Sequence, residues 1–372
     1  MILRDFLEKI RNWSGIDTGR EFPIFKGKKS ITNKMKKEEG DLSMNKMTKK
    51  ERIIAAINKQ EVDRLPFSIW YHLPQVDQDP VQLAEMQVEQ AHCYDLDFIK
   101  MMPFGNYSAH DFGLSVTFYC TETQPAFERK FAIENVKQWT ELEPLPGCFG
   151  SHGKQLLFTR QIQKQLKGEE IPYVQTIFSP LTTAKKLAGP RVFEDMRSHP
   201  EYLHQALVAI TETTINFVKL NIEAGVAGFF FATQCANKEW VTEAEHDEFG
   251  VAYDLKVINA YKDITYFNIA HIHGDNTMFE KIEKYPCNCI NWHDRWVAPG
   301  MAEARKLSDK CFLGCINEKW LSQAKPEEIR SHIKEGVLAA GRTGLMITPG
   351  CVAQLDTPKI NFYAARIAIE GL

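Results

Sequence analysis

Eight short runs rich in β-branched and aromatic residues recur along this chain, separated by stretches with helical periodicity, and that alternation restricts the fold more than any other feature. The runs are residues 66–70, 97–102, 173–178, 228–232, 266–271, 289–292, 311–314 and 345–348. Helical patterns cover 80–91, 200–224, 248–262, 298–308 and 326–340, several opened by proline. Strand followed by helix, repeated, calls for a parallel sheet. Eight repeats on 372 residues favour a single closed (β/α)₈ TIM barrel of the α/β class over an open doubly wound sheet. The span from Met102 to Tyr173 departs from the pattern. Its alternating runs at 114–119 and 127–133 predict a β-hairpin insertion after the second strand, over the barrel mouth, because an unstructured loop of that length is rare.

Thr48 and Glu51 have capping-box spacing ahead of Ile53, Ile54 and Ile57, so regular structure is expected to begin there. Residues 48–372 then form one barrel domain, and residues 1–47 a poorly ordered N-terminal extension. The competing reading of 1–13 is a short amphipathic helix carrying Ile2, Phe6, Leu7 and Ile10.

Residues 1–50 hold 13 Lys and Arg against 7 Asp and Glu, whereas the whole chain has a net charge of −3, so the barrel region is acidic. An acidic body without an arginine-rich stripe attracts a phosphate backbone poorly, and nucleic acid is not an expected partner. No apolar run reaches the length of a membrane span, and the charged opening residues do not suit a secretory signal. A cytoplasmic location is expected. The odd count of nine cysteines argues for reduced thiols rather than a disulfide scaffold. Neither a G-x-G-x-x-G run nor a Walker lysine is present, so no nucleotide cofactor is expected.

Active sites of such barrels lie at the carboxyl ends of the strands. The residues there are His72, Asn106 and Tyr107, Gln234, His271, His273, Asp275 and Asn276, then His293, Asp294 and Arg295, Asn317 and Glu318, and Cys351. His271 and His273, two apart on an extended segment, point to one face and could share a tetrahedral cation with the Cys351 thiolate. Hydrogen-bonded or catalytic histidines are the other reading of that pair. His293, Asp294 and Asp275 are the candidate catalytic groups. His72, Asn106, Tyr107, Gln234, Asn291, Arg295 and Asn317 are the candidate substrate-binding residues. Cys287, Cys289, Cys311 and Cys315 read as small core hydrophobes.

Several segments together resemble the uroporphyrinogen decarboxylase superfamily. They are Asp63-Arg64-Leu65-Pro66, FSPLTTAKKLAG from Phe178, HIHGD from His271, INWHDR from Ile290, CFLGCIN from Cys311 and GLMITPGCVAQLDTP from Gly344, and they stand in the family's order. The resemblance implies a (β/α)₈ barrel and either of two activities. Decarboxylases of the family carry paired arginines after the first strand, an aspartate ending the second and a histidine after the eighth. Here no arginine lies between Arg64 and Arg129, the second strand runs into Met102-Pro103-Phe104, and Cys351 stands at the histidine's place. The zinc-dependent methyltransferases of the superfamily, which act on corrinoid proteins, have His-x-Cys and a later Pro-Gly-Cys turn. This chain is similar to them in His271 and in Thr348-Pro349-Gly350-Cys351, with His273 replacing the first cysteine. The resemblance therefore implies a zinc or similar divalent ion on His271, His273 and Cys351, a small-molecule substrate, and a separate corrinoid protein, since no Asp-x-His-x-x-Gly motif is present. Decarboxylation of uroporphyrinogen or another carboxylate is the alternative activity, and a non-catalytic tetrapyrrole- or corrinoid-protein-binding barrel the second alternative.

Overall fold

The computed structural model describes residues 46–372, and the expectation for residues 1–45 lies outside them. The first helix of the described residues, α1 (Lys49–Ile57), opens on the capping box: Thr48 Oγ1 accepts from the Glu51 amide at 3.2 Å and the Thr48 amide donates to Glu51 Oε2 at 2.8 Å. The residue before the cap is also tied down: the Met47 amide donates to Asp63 Oδ2 at 3.1 Å and its carbonyl accepts from Arg52 at 2.8 Å.

Seven parallel strands form one curled sheet: β1 (Ile99–Lys100), β4 (Tyr173–Phe178), β5 (Gly228–Thr233), β6 (Ile269–Ile272), β7 (Cys289–Asn291), β8 (Cys311–Ile316) and β9 (Leu345–Pro349), paired in that order. Every residue of β4, β5 and β8 is buried, as expected for strands covered on both faces. The expected strand at 66–70 is reduced to one bridge, Phe67 to Ile347. The cause is local: Pro66 has no amide, and the Phe67 amide is taken by the Asp97 carboxylate at 2.8 Å. The segment still joins both edges of the sheet. Ile347 donates to the Pro66 carbonyl at 2.8 Å, and Asp97, just before β1, donates to the Phe67 carbonyl at 2.7 Å.

Between β1 and β4 lie α3 (Tyr107–His110), an antiparallel hairpin of β2 (Ser115–Thr117) with β3 (Phe127–Lys130), and α4 (Gly150–Gln165). The sequence reading did not place α4, whose first turn contains two glycines. It packs on α2 (Pro80–Cys93). After β4 come α5 (Pro180–Ala188), α6 (Arg191–Ser198) and α7 (Pro200–Glu223). The helix expected at 248–262 begins earlier, as α8 (Glu243–His246), and passes through a π-turn before α9 (Ala252–Asn259). Further along lie α10 (Phe279–Ile282), α11 (Met301–Leu307), α12 (Pro326–Ala340) and α13 (Lys359–Ala368). No helix of the described residues is long and apolar enough to cross a membrane.

A candidate metal centre in the barrel mouth

His271 lies on β6 and His273 one residue beyond its end, where the His273 amide still bonds the Thr233 carbonyl at 3.0 Å and so prolongs the strand. Side-chain alternation turns both imidazoles inward. Cys351 follows β9 through Pro349 and Gly350. A Cβ on Gly350 would stand 2.6 Å from the Trp292 carbonyl oxygen and 2.9 Å from His293 Cα, so glycine is what lets this turn press against the end of β7.

The three side chains converge. Cys351 Sγ is 3.7 Å from His271 Nε2 and 3.5 Å from His273 Nδ1, and all three donor atoms lie within 4.8 Å of one another. Tetrahedral zinc, with Zn–N near 2.0 Å and Zn–S near 2.3 Å, needs N···S edges of about 3.5 Å. Two edges already have that length.

The hydrogen bonds behind the cluster orient its lone pairs. Asn291 Nδ2 donates to the carbonyls of Leu313 at 2.9 Å and Pro349 at 3.1 Å, so its Oδ1 must face His271 Nδ1, 2.6 Å away. His271 therefore carries its proton on Nδ1 and offers Nε2 to the cluster. Glu318 Oε1 is 2.6 Å from His293 Nδ1 and accepts from Trp296 Nε1 at 2.9 Å. Burial opposes ionisation of Glu318, but these bonds outweigh it and hold the carboxyl below its ordinary range. His293 then presents Nε2 toward His273 Nδ1 at 3.3 Å. Two imidazole lone pairs at that distance repel unless a proton or a cation lies between them.

Burial, followed by the neighbouring His293, pushes His271 well below its usual pKa and His273 down to about 4, while burial and then Glu318 push the Cys351 thiol up to about 11. The imidazoles are thus in their ligand form, and a divalent ion held among the three would outweigh the burial that keeps the thiol protonated. This donor set fits a divalent ion.

The cluster opens on a cavity of about 310 Å³, at the small end of the range for small-molecule sites. His72, Gln234, His271, His273, His293 and Cys351, all marked by the sequence, line it. Other marked residues lie elsewhere. Asn291 stands behind His271 as its orienting partner. Asn106 is at the rim, accepting from Lys186 Nζ at 3.1 Å, and the buried Tyr107 hydroxyl donates to the Thr176 carbonyl at 2.7 Å. Asp294 alternates away from His293 and accepts from the Cys315 amide at 3.1 Å, while Arg295 pairs with Glu335 at 3.3 Å. Asn317 Oδ1 caps the turn of Lys319 and Trp320 at 3.0 Å each. Asp275 is carried off by Gly274 at φ +113° into a separate outer groove with Asn276 and Lys281. The order of residues after a strand does not tell which way each one faces, and that is why these assignments and the structure part. The four cysteines Cys287, Cys289, Cys311 and Cys315 are buried, and all nine are unpaired.

Sequence reasoning missed Lys100, Lys186 and the orienting role of Glu318. Lys100 did leave a signal, a charge in the middle of the strand run 97–102, between Phe98-Ile99 and Met101-Met102.

Residues 48–370 match the family model described as uroporphyrinogen decarboxylase (URO-D). The methylcobamide:CoM methyltransferase MtbA of Methanosarcina acetivorans is 23% identical over 336 residues, covering 86% of this chain and 96% of that protein, and MtbA of Methanosarcina mazei has the same identity and coverage. A uroporphyrinogen decarboxylase of Aliivibrio salmonicida is 27% identical over 221 residues, 54% of this chain and 59% of that one. Among solved structures, a methyltransferase from Methanosarcina mazei superposes with a TM-score of 0.73 at 16% identity, over 87% of this chain and 98% of the other.

Proposed function

The chain belongs to the uroporphyrinogen decarboxylase (URO-D) family, and from that membership we propose that it is a metal-dependent enzyme of the methyltransferase type, transferring a methyl group between a corrinoid held on a separate protein and a small acceptor such as a thiol. The observation that carries this reading is the convergence of His271 Nε2, His273 Nδ1 and Cys351 Sγ. Two relatives that span most of the chain are methyltransferases, which supports the same branch.

His271, His273 and Cys351 would hold the metal, with zinc the ion that suits two imidazoles and one thiolate. Bound zinc would supply Lewis acidity, which lowers the pKa of an acceptor thiol and readies it as a nucleophile. The chain's own groups do the rest. Asn291 keeps the His271 proton on Nδ1, and Glu318 does the same for His293, so that His293 Nε2 turns its lone pair toward His273 and the cluster, where it would take up the proton an acceptor thiol gives up. Gln234 and His72 face the same cavity and would position the substrate. Trp70, Phe178 and Phe230 wall it with apolar surface and limit water. Unpaired cysteines throughout are in keeping with a reducing, cytoplasmic setting.

The test is elemental analysis together with methyl transfer from methylated cobamide to a thiol. Near-stoichiometric zinc is expected, and Cys351→Ser should lose most of it while folding normally. Metal-free protein with full activity sinks the proposal, and release of carbon dioxide from uroporphyrinogen at an enzymatic rate replaces it with the decarboxylase reading.

A further inference from the structure

Lys100, the last residue of β1, is set in the wall of the barrel mouth with almost nothing to hold it as an ion. It is 6% exposed and lines the cavity. Its Nζ reaches Met102 Sδ at 2.7 Å and lies 4.6 Å from the Phe230 ring centre and 5.9 Å from that of Trp70. A thioether is a weak acceptor, and ring faces compensate an ammonium only in part. Among the described residues no carboxylate oxygen lies within 4.0 Å of Lys100, whereas Lys49 and Lys281 sit in ion pairs at 2.9 and 2.6 Å. Lys186 lines the same cavity but differs from it. That side chain donates to the Gly105 carbonyl at 2.9 Å and to Asn106 Oδ1 at 3.1 Å, two oxygens that suit a charged ammonium.

An ammonium withdrawn from water without an anion is disfavoured against the neutral amine. Burial lowers Lys100 to about 7, with Cys351 opposing the shift, so near neutral pH a large share of the protein carries the free amine there. Desolvation of this kind readies a lysine to attack a carbonyl carbon. The cavity of about 310 Å³ admits a small organic molecule. His72 faces the same space, and burial, followed by Lys100, lowers it to about 4, so its ring is neutral and can take and return a proton. The faces of Phe230 and Trp70 beside the nitrogen favour a cation fixed there.

We propose that Lys100 is a covalent attachment site that captures the carbonyl group of a small aldehyde or ketone as a Schiff base. The Nζ lone pair bonds the carbonyl carbon while the C=O π pair moves to oxygen, and a proton passes from nitrogen to that oxygen to give a carbinolamine. A further proton, taken from solvent by way of His72, lets the hydroxyl leave as water, and the nitrogen lone pair closes the C=N bond. The product is an iminium whose positive charge is that proton's, with no net oxidation or reduction, and hydrolysis reverses each step. This activity is separate from methyl transfer and needs no metal.

The test is reductive trapping. Full-length protein, as purified, is incubated near neutral pH with acetone or propanal and sodium cyanoborohydride, and peptide mass spectrometry locates the alkylated lysines. Lys100 should be labelled at least about 10-fold faster than the exposed Lys130, because its amine is free where the other is charged. Lys100→Met should lose the fast adduct and keep the slow surface labelling. Mapping of the parent protein decides the matter even where that variant folds poorly. Labelling that follows exposure alone, or a fast adduct at Lys186 in place of Lys100, overturns the proposal. Chelator-treated protein should form the same adduct, and its loss there would equally overturn a site that needs no metal.

Discussion

Asn291 decides which nitrogen of His271 is free. Its carboxamide Nδ2 is committed to two carbonyls, of Leu313 on β8 and Pro349 on β9, which leaves Oδ1 2.6 Å from His271 Nδ1 and fixes the ring's proton there. One side chain thus ties three neighbouring strands together and aims the imidazole toward Cys351.

Replacing Asn291 by alanine should therefore lower zinc affinity by about 10- to 100-fold, the usual effect of losing a partner that orients a metal-bound histidine. Competition with a chromogenic chelator measures it. Unchanged affinity would mean that His271 is oriented by other contacts.

Gly350→Ala places a methyl group 2.6 Å from the Trp292 carbonyl oxygen, a backbone atom that cannot swing aside. The turn carrying Cys351 must shift. Loss of zinc and a destabilisation of about 1–3 kcal/mol are expected, typical of overpacking. Zinc per chain and the denaturant midpoint check the two effects separately.

Asp294 is buried against β8, with one oxygen bonded by the Cys315 amide and the other without a partner. Burial raises its pKa to about 8, and the neighbouring Glu318 adds to the rise. Between the ordinary carboxylate range and pH 8 the folded protein keeps a proton that the unfolded chain has released. This contribution to stability therefore falls as pH rises through that window. Asp294→Asn should remove the slope and be more stable than the parent at pH 9, by on the order of a few kcal/mol, with a smaller gap at pH 5. Denaturant midpoints at the two pH values decide it.

Arg52 is 2% exposed and pairs with Asp63 at 2.6 Å and Asp97 at 2.5 Å, while Arg64 holds the same Asp97 at 2.5 Å. This network ties α1 to the segment that closes the ring. Arg52→Met should cost about 3–5 kcal/mol, the range for breaking a buried pair. Zinc content should not change, which separates the stability of the network from the chemistry at the mouth.

A chain beginning at Met44 should keep the parent's thermal midpoint, whereas one beginning at Thr48 forfeits the two bonds of Met47 to Asp63 and Arg52. A loss of about 1–2 kcal/mol is expected for the shorter chain. A lower midpoint for the Met44 chain would show that residues before it contribute to the fold.

The amino-acid sequence by itself determined the parallel strand-helix alternation, the start of α1 at its capping box and the shared face of His271 and His273. Each of these is local: a period of two or of 3.6 residues, or a hydroxyl three residues from an amide, is written in adjacent positions. It also announced the Pro-Gly-Cys turn. Tertiary structure alone decided that Asn291 orients His271 from behind rather than lining the cavity, that Asp294 faces away from the mouth while His293 faces into it, and that Lys100 lines the same cavity as His72. Those outcomes depend on which elements close upon one another across a ring, and the partners stand far apart in the chain. The Cys351 thiol is 78 residues from His273, and the carbonyl that orients Asn291 is 58 residues away. A strand's neighbours reach it only when the barrel closes, and the direction of a buried polar side chain is set by the donors and acceptors those neighbours bring.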